Sequence, residues 1–259
     1  MVTQLQPQTD LEIIYPDSDG QPMADNTIQF RWITVIYYNL AWLFASDNQA
    51  FVAGDLLWYP VKNNNKLRQA PDVMVIFGVN KGDRGSYQQW QEDNIAPQVV
   101  FEILSPGNTK KEMNRKLLFY DRYGVEEYYL YDPYKNSLTG WLRDESWLDA
   151  IDQMNGWVSP RLGIRFEVTS DTLVLYRPDE QPFADYVEVQ QQLEAMENRA
   201  MEAENRAVEA ENRAVEAKNR AVEAENRATV AEEELQQERQ RAKRLEELLR
   251  EAGIEPHEH

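Results

Sequence analysis

The chain has 259 residues, 28% of them charged and 11% aromatic, with a formal net charge of −18 and no cysteine. Lack of cysteine excludes disulfide frameworks, iron–sulfur clusters, thiolate zinc sites and cysteine nucleophiles; both histidines, His257 and His259, lie near the C-terminal end, which sets aside Ser-His-Asp hydrolases, HExxH metalloproteases and imidazole-rich metal sites. Catalysis is left to carboxylates, amines, hydroxyls and amides, any metal must be a hard cation among oxygens, and the acidic balance argues against broad adhesion to nucleic acid or anionic membrane without excluding a local basic groove.

No apolar run approaches the roughly 18 to 20 residues needed to span a bilayer, and MVTQLQPQTDLEII has neither a basic n-region nor an apolar h-region. The expected address is the cytoplasm, with no membrane partner. Residues 1–25 read as an N-terminal extension. Asn26 or Thr27 can cap a helix through about residue 46, because FRWITVIYYNLAWLF carries a dense apolar face. Strand-like runs follow at 51–59, 72–79 and 98–104, the last two separated by the turn-rich loop GVNKGDRGSYQQW. Residues 109–123 form a second helix, stopped by Gly124. A strand at 126–132 turns through DPYKNS into a partner at 138–143, and 165–176 adds further β character. The order predicts a mixed α/β domain over 26–184.

All seven tryptophans precede residue 185, and the last aromatic is Tyr186. Beyond it, ENRAMEA, ENRAVEA, ENRAVEA, KNRAVEA and ENRATVA repeat between Glu197 and Ala231, and apolar residues recur at alternating steps of three and four from Leu193 to Ala252, with Glu238 the one polar intruder. A sustained 3.5-residue period predicts a C-terminal coiled coil over 185–252, followed by a flexible tail at 253–259. Glu202–Arg206, Glu209–Arg213, Glu216–Arg220 and Glu223–Arg227 are i,i+4 pairs in the favourable order. The seam is mostly alanine, so the middle of the rod should associate weakly, either with copies of itself or with a partner helix; the alternative is a single charged helix with no partner.

Three residues stand out chemically. Asp72 opens the apolar strand DVMVIFGV, and Glu102 interrupts QVVFEIL. A buried ionised carboxylate is costly unless paired, hydrogen-bonded or bound to metal, so the two make an oxygen site for a divalent cation; alternatively Asp72 caps a turn after Pro71 and Glu102 pairs with a nearby cation. Lys116 lies one turn after Glu112 on the second helix. That spacing gives either an exposed salt bridge or a lysine aimed at the sheet.

The element order, with PD at one strand and E-x-[IVL] at the next, resembles the PD-(D/E)xK nuclease superfamily. The match is closer to its Uma-two family of restriction-endonuclease-like proteins. It is carried by Pro71-Asp72-Val73, Glu102-Ile103-Leu104-Ser105-Pro106, Lys116, Tyr120, Gly124-Val125 and Tyr129-Leu130-Tyr131-Asp132-Pro133. The resemblance implies a mixed sheet flanked by helices, with Asp72, Glu102 and Lys116 catalytic. Leu104 stands where the superfamily usually places its lysine, and the family's lysine on the next helix corresponds to Lys116. Asp72, Glu102 and the carbonyl of Ile103 would ligate Mg²⁺ or Mn²⁺, with Glu112 auxiliary and Asp55 either auxiliary or in a turn. Apart from the resemblance, Lys110, Lys111 and Arg115, with Lys81 and Arg84 in the loop, form a basic cluster that either contacts DNA phosphates or is a solvated charged face. The expected function is metal-dependent DNA cleavage by a self-associating chain; the alternative is a non-catalytic scaffold acting through its coiled coil.

Overall fold

A computed structural model describes residues 13–253. His257, His259, residues 1–12 of the expected extension and 254–259 of the expected tail lie outside the described residues. The chain divides into two units, one through Val189 and one from Gln190 onward.

Asn26 starts helix α1 (Thr27–Leu43): its side chain accepts hydrogen bonds from the backbone N–H groups of Ile28 and Gln29 and so satisfies donors that a helix N-terminus leaves open. Strand β1 (Ala50–Gly54) runs antiparallel to β3 (Val73–Phe77), which is antiparallel to β5 (Val99–Ile103). Helix α2 (Lys110–Arg122) then crosses over, so that β6 (Glu127–Asp132) lies parallel to β5. Thr109 and Glu112 close a capping box at the start of α2, and Gly124 takes the positive φ of 90° that follows its end. Strands β7 (Ser137–Asp144) and β8 (Trp147–Ala150) complete a six-stranded mixed sheet of order β1-β3-β5-β6-β7-β8.

Two small additions flank the sheet. The expected strand at 51–59 breaks at Asp55, and Trp58–Tyr59 become β2, paired in parallel with β4 (Tyr87–Gln88) inside the turn-rich loop. Strands β9 (Arg165–Val168) and β10 (Leu173–Tyr176) form a separate hairpin.

Side-chain alternation along the central strands divides the core between two faces. Val73, Val75, Val99, Phe101 and Ile103 pack with Ile33, Ile36 and Leu40 of α1 and with the β9–β10 hairpin. Met74, Ile76 and Val100 face the other way, toward Tyr120, Trp58, Tyr87 and Tyr128. Glu102, two residues after Val100, therefore belongs to the face that α2 covers.

Helix α3 (Tyr186–Glu251) is continuous over 66 residues and has no buried residue. Asp185 and Glu188 start it with reciprocal hydrogen bonds of 2.9 Å between backbone and side chain.

Candidate active site

The register of β3 and β5 sets the centre of the site. Val73 is opposite Phe101 and Met74 opposite Val100, so one step toward the strand ends brings Asp72 opposite Glu102. Directly opposed residues on antiparallel strands place their Cβ atoms about 5 Å apart. Both carboxylates are buried, Asp72 at 8% and Glu102 at 2% exposure. Asp72 Oδ2 accepts the Ile103 N–H at 2.6 Å, rather than capping a turn after Pro71.

Helix α2 supplies the cation. Glu112, Lys116 and Tyr120 are spaced by four residues and share one stripe, whose lower part meets Glu102. Lys116 Nζ donates to Glu102 Oε2 at 2.7 Å, and the Tyr120 hydroxyl donates to Glu102 Oε1. Lys116 thus turns toward the sheet rather than toward Glu112. Glu112 instead accepts from Asn108 at 3.2 Å and from the Thr109 N–H at 3.4 Å, holding the first turn of α2.

Burial, and after it the neighbouring Glu102 charge, pushes the Asp72 carboxyl well above the usual carboxylate range, against the opposing pull of Lys116 and the Ile103 N–H. Burial alone would lower the Lys116 ammonium, but Glu102 and Asp72 together carry it above its ordinary value. Asp55 is raised by burial and then by Asp19. It lies one residue past β1, at a φ of 49°, and its N–H donates to the carbonyls of Pro71 and Asp72. That bond closes the β1–β3 ladder at the position where Asp72 enters the site.

Asp72 and Lys116 open onto a cleft of about 270 Å³, also lined by Asp19, Asp25, Asp55 and Glu112. Residues 13–25, read from sequence as an extension, help to wall it. Tyr15 packs edge-on against Tyr59, the Tyr59 hydroxyl donates to the Pro16 carbonyl at 2.7 Å, and Ser105 donates to Asp25. Gln29 was not anticipated. It is buried on α1, and its Nε2 donates to the Ile103 carbonyl at 2.9 Å across 74 residues of sequence. Only the residue type, a glutamine on an otherwise apolar helix face, hinted at it.

The outer cations differ in availability. Lys110, Lys111 and Arg115 are exposed on α2. Lys81 donates to the carbonyls of Phe44 and Ala45 beyond the end of α1. Arg84 pairs with Glu92 at 2.6 Å and covers the Phe51 ring. Both are committed within the chain.

The donor chemistry suits a hard divalent cation. Two buried carboxylates face one ammonium, leaving a negative charge uncompensated, and the Ile103 carbonyl adds a neutral oxygen. Among the described residues no group of three or more His, Cys, Asp or Glu is gathered as a metal cage. No helix among the described residues is long and apolar enough to cross a membrane.

No match to the chain is found among curated proteins. A solved structure described as "a putative nuclease belonging to DUF820 from Anabaena variabilis ATCC 29413" is similar at 15% identity and a TM-score of 0.40, over 52% of this chain and 72% of that one. The model of the Uma2 family, described as "Putative restriction endonuclease", matches residues 19–170, from the wall of the cleft to the β9–β10 hairpin. With more than half of its length so matched, the chain belongs to the Uma2 family.

Proposed function

We propose that the chain is a divalent-metal-dependent endodeoxyribonuclease whose catalytic residues are Asp72, Glu102 and Lys116. The observation that carries this reading is their meeting: residues from β3, β5 and α2, each weak evidence by itself, are brought together by the β3–β5 register and a 2.7 Å ion pair. Family membership supplies the reaction class.

In this reading Asp72, Glu102 and the Ile103 carbonyl hold Mg²⁺ or Mn²⁺. When bound, such a cation neutralises charge on the scissile phosphate and lowers the pKa of water. Lys116 places a point charge beside the attacking water and the phosphate oxygens. Tyr120 fixes the Glu102 carboxylate, and Gln29, which lines the same cleft, fixes the Ile103 carbonyl. Asp55 shapes the entry of Asp72, and Glu112 holds the start of α2. Lys110, Lys111 and Arg115 meet the DNA backbone outside the acidic cleft, where phosphates approach without opposing carboxylates. Helix α3 self-associates through its heptad seam and brings two such sites to one DNA molecule.

The test is cleavage of supercoiled and linear DNA with Mg²⁺ or Mn²⁺ by the full chain and by Asp72→Ala. The variant is expected to lose cleavage while keeping its fold and its sedimentation behaviour. Undiminished cleavage would remove Asp72 from the site. If the wild type binds metal and does not cleave, the scaffold reading takes over and α3 becomes the working part.

A further inference from the structure

Among the described residues helix α3 leaves its apolar seam exposed: Leu193, Leu235 and Leu245 are 49%, 52% and 62% exposed. With Ala200 and Ala207 at heptad position a and Ala203 and Ala210 at d, arginine occupies g and glutamate occupies e through the repeats. We propose that the partner of this seam is a second copy of the chain, aligned parallel and in register. The proposal rests on self-association through α3 and adds its direction.

Charge complementarity carries the argument. In a parallel pair, each g residue faces the e residue five positions on in the partner, whereas an antiparallel pair sets g against g and e against e. Parallel alignment places Arg206 opposite Glu211 and Arg220 opposite Glu225. Antiparallel alignment mostly sets arginine against arginine and glutamate against glutamate.

The decisive place is where the repeat ends. Position g becomes Glu234 and the following e becomes Arg239, so both signs invert together and the parallel pair is kept. Within one helix this inversion has no use. Residues five apart do not face each other, and the residues four further on, Glu238 for Glu234 and Lys243 for Arg239, carry like charges. Arg241 then faces Glu246; the one mismatch among these g–e pairs is Arg213 opposite Lys218, and Glu238, at d, meets its own copy in register as the polar break in the seam. Both copies consequently enter the rod from the same end, which tethers their N-terminal units there.

The chain has no cysteine, so Ala203→Cys at a d position and Ala228→Cys at an a position each introduce a single thiol away from the middle of the rod; an antiparallel pair sets a against d, and so can bring these two positions level. Under mild oxidation of the full chain, each variant alone is expected to form a disulfide-linked dimer, and a mixture is expected to form no 203–228 cross-link. A 203–228 cross-link without the homotypic ones, in a protein that sediments as an oligomer, overturns the parallel alignment alone. A monomer in sedimentation overturns self-association itself. Lys218→Glu supplies a second reading, because its neighbours at three and four residues are alanine and valine. Converting the mismatch is expected to tighten association roughly fivefold, whereas an antiparallel pair would loosen.

Discussion

The two regions of this chain are held by opposite kinds of interaction. The N-terminal unit joins residues distant in sequence: Gln29 reaches Ile103, Asp72 reaches the backbone of β5, and buried charge is tolerated because several elements converge on it. Helix α3 is held by its own backbone and by pairs such as Glu209–Arg213, both more than two-thirds exposed. It buries nothing. The N-terminal core carries the cost of two buried carboxylates, whereas α3 leaves its apolar positions exposed.

Four measurements set the two regions against each other. The largest is Phe166→Ala. Phe166 is fully buried against the rings of Phe101 and Tyr129, and its loss should cost about 3–5 kcal/mol. Every tryptophan precedes α3, so tryptophan emission reports the N-terminal unit. The emission transition should move to lower urea while the far-UV helical signal of α3 persists; a joint collapse would show the two regions to be one cooperative unit.

Next is Asp72→Asn, which keeps an acceptor for the Ile103 N–H and removes one of two opposed buried charges. Stability should rise by about 1 kcal/mol in urea titrations while cleavage is lost. A loss of stability would mean that the Asp72 charge holds the fold together.

The third concerns pH. Burial raises the Glu127 carboxyl above its ordinary value, although Ser159, Tyr129 and the Arg161 N–H all donate to it. A raised native pKa means that the folded chain keeps this proton to higher pH than the unfolded chain. Between the two values the unfolded state binds fewer protons, and stability falls as pH rises. The unfolding free energy of the wild type relative to Glu127→Gln should therefore shrink as pH climbs from the ordinary glutamate value toward neutrality. A growing difference would mean that the three donors outweigh burial.

The smallest effect is Glu209→Gln, which should change helix stability by only about 0.2–0.5 kcal/mol, read from thermal melts at 222 nm. A larger loss would give Glu209 a partner beyond its own helix.

Much of this molecule was legible as pattern. Asn26 and Thr109 announce helices through capping chemistry, and the stretch from Gln98 to Asp132 reads strand, helix, strand. Asp72 and Glu102 stand out because charges interrupt apolar runs. What escaped has no periodic signal. Strands β2 and β4 are two residues long, and β8 has mostly exposed side chains. The bond from Gln29 to Ile103 and the one from Tyr120 to Glu102 depend on which way a side chain turns once the sheet is assembled. The same holds for Lys81 and Arg84, whose charges mark a basic loop in sequence and are tied inward in the fold. Asp55 was expected on a strand, but its left-handed backbone ends that strand instead.

The proposed nuclease depends on Lys116, supplied by α2, completing the pair formed by Asp72 and Glu102. Nicking of supercoiled DNA with Mg²⁺ or Mn²⁺, measured for the wild type beside Lys116→Ala, tests this dependence. The wild type is expected to nick in a metal-dependent way, and the variant to lose nicking while its tryptophan emission still reports a folded N-terminal unit. Equal nicking by the two proteins would contradict it.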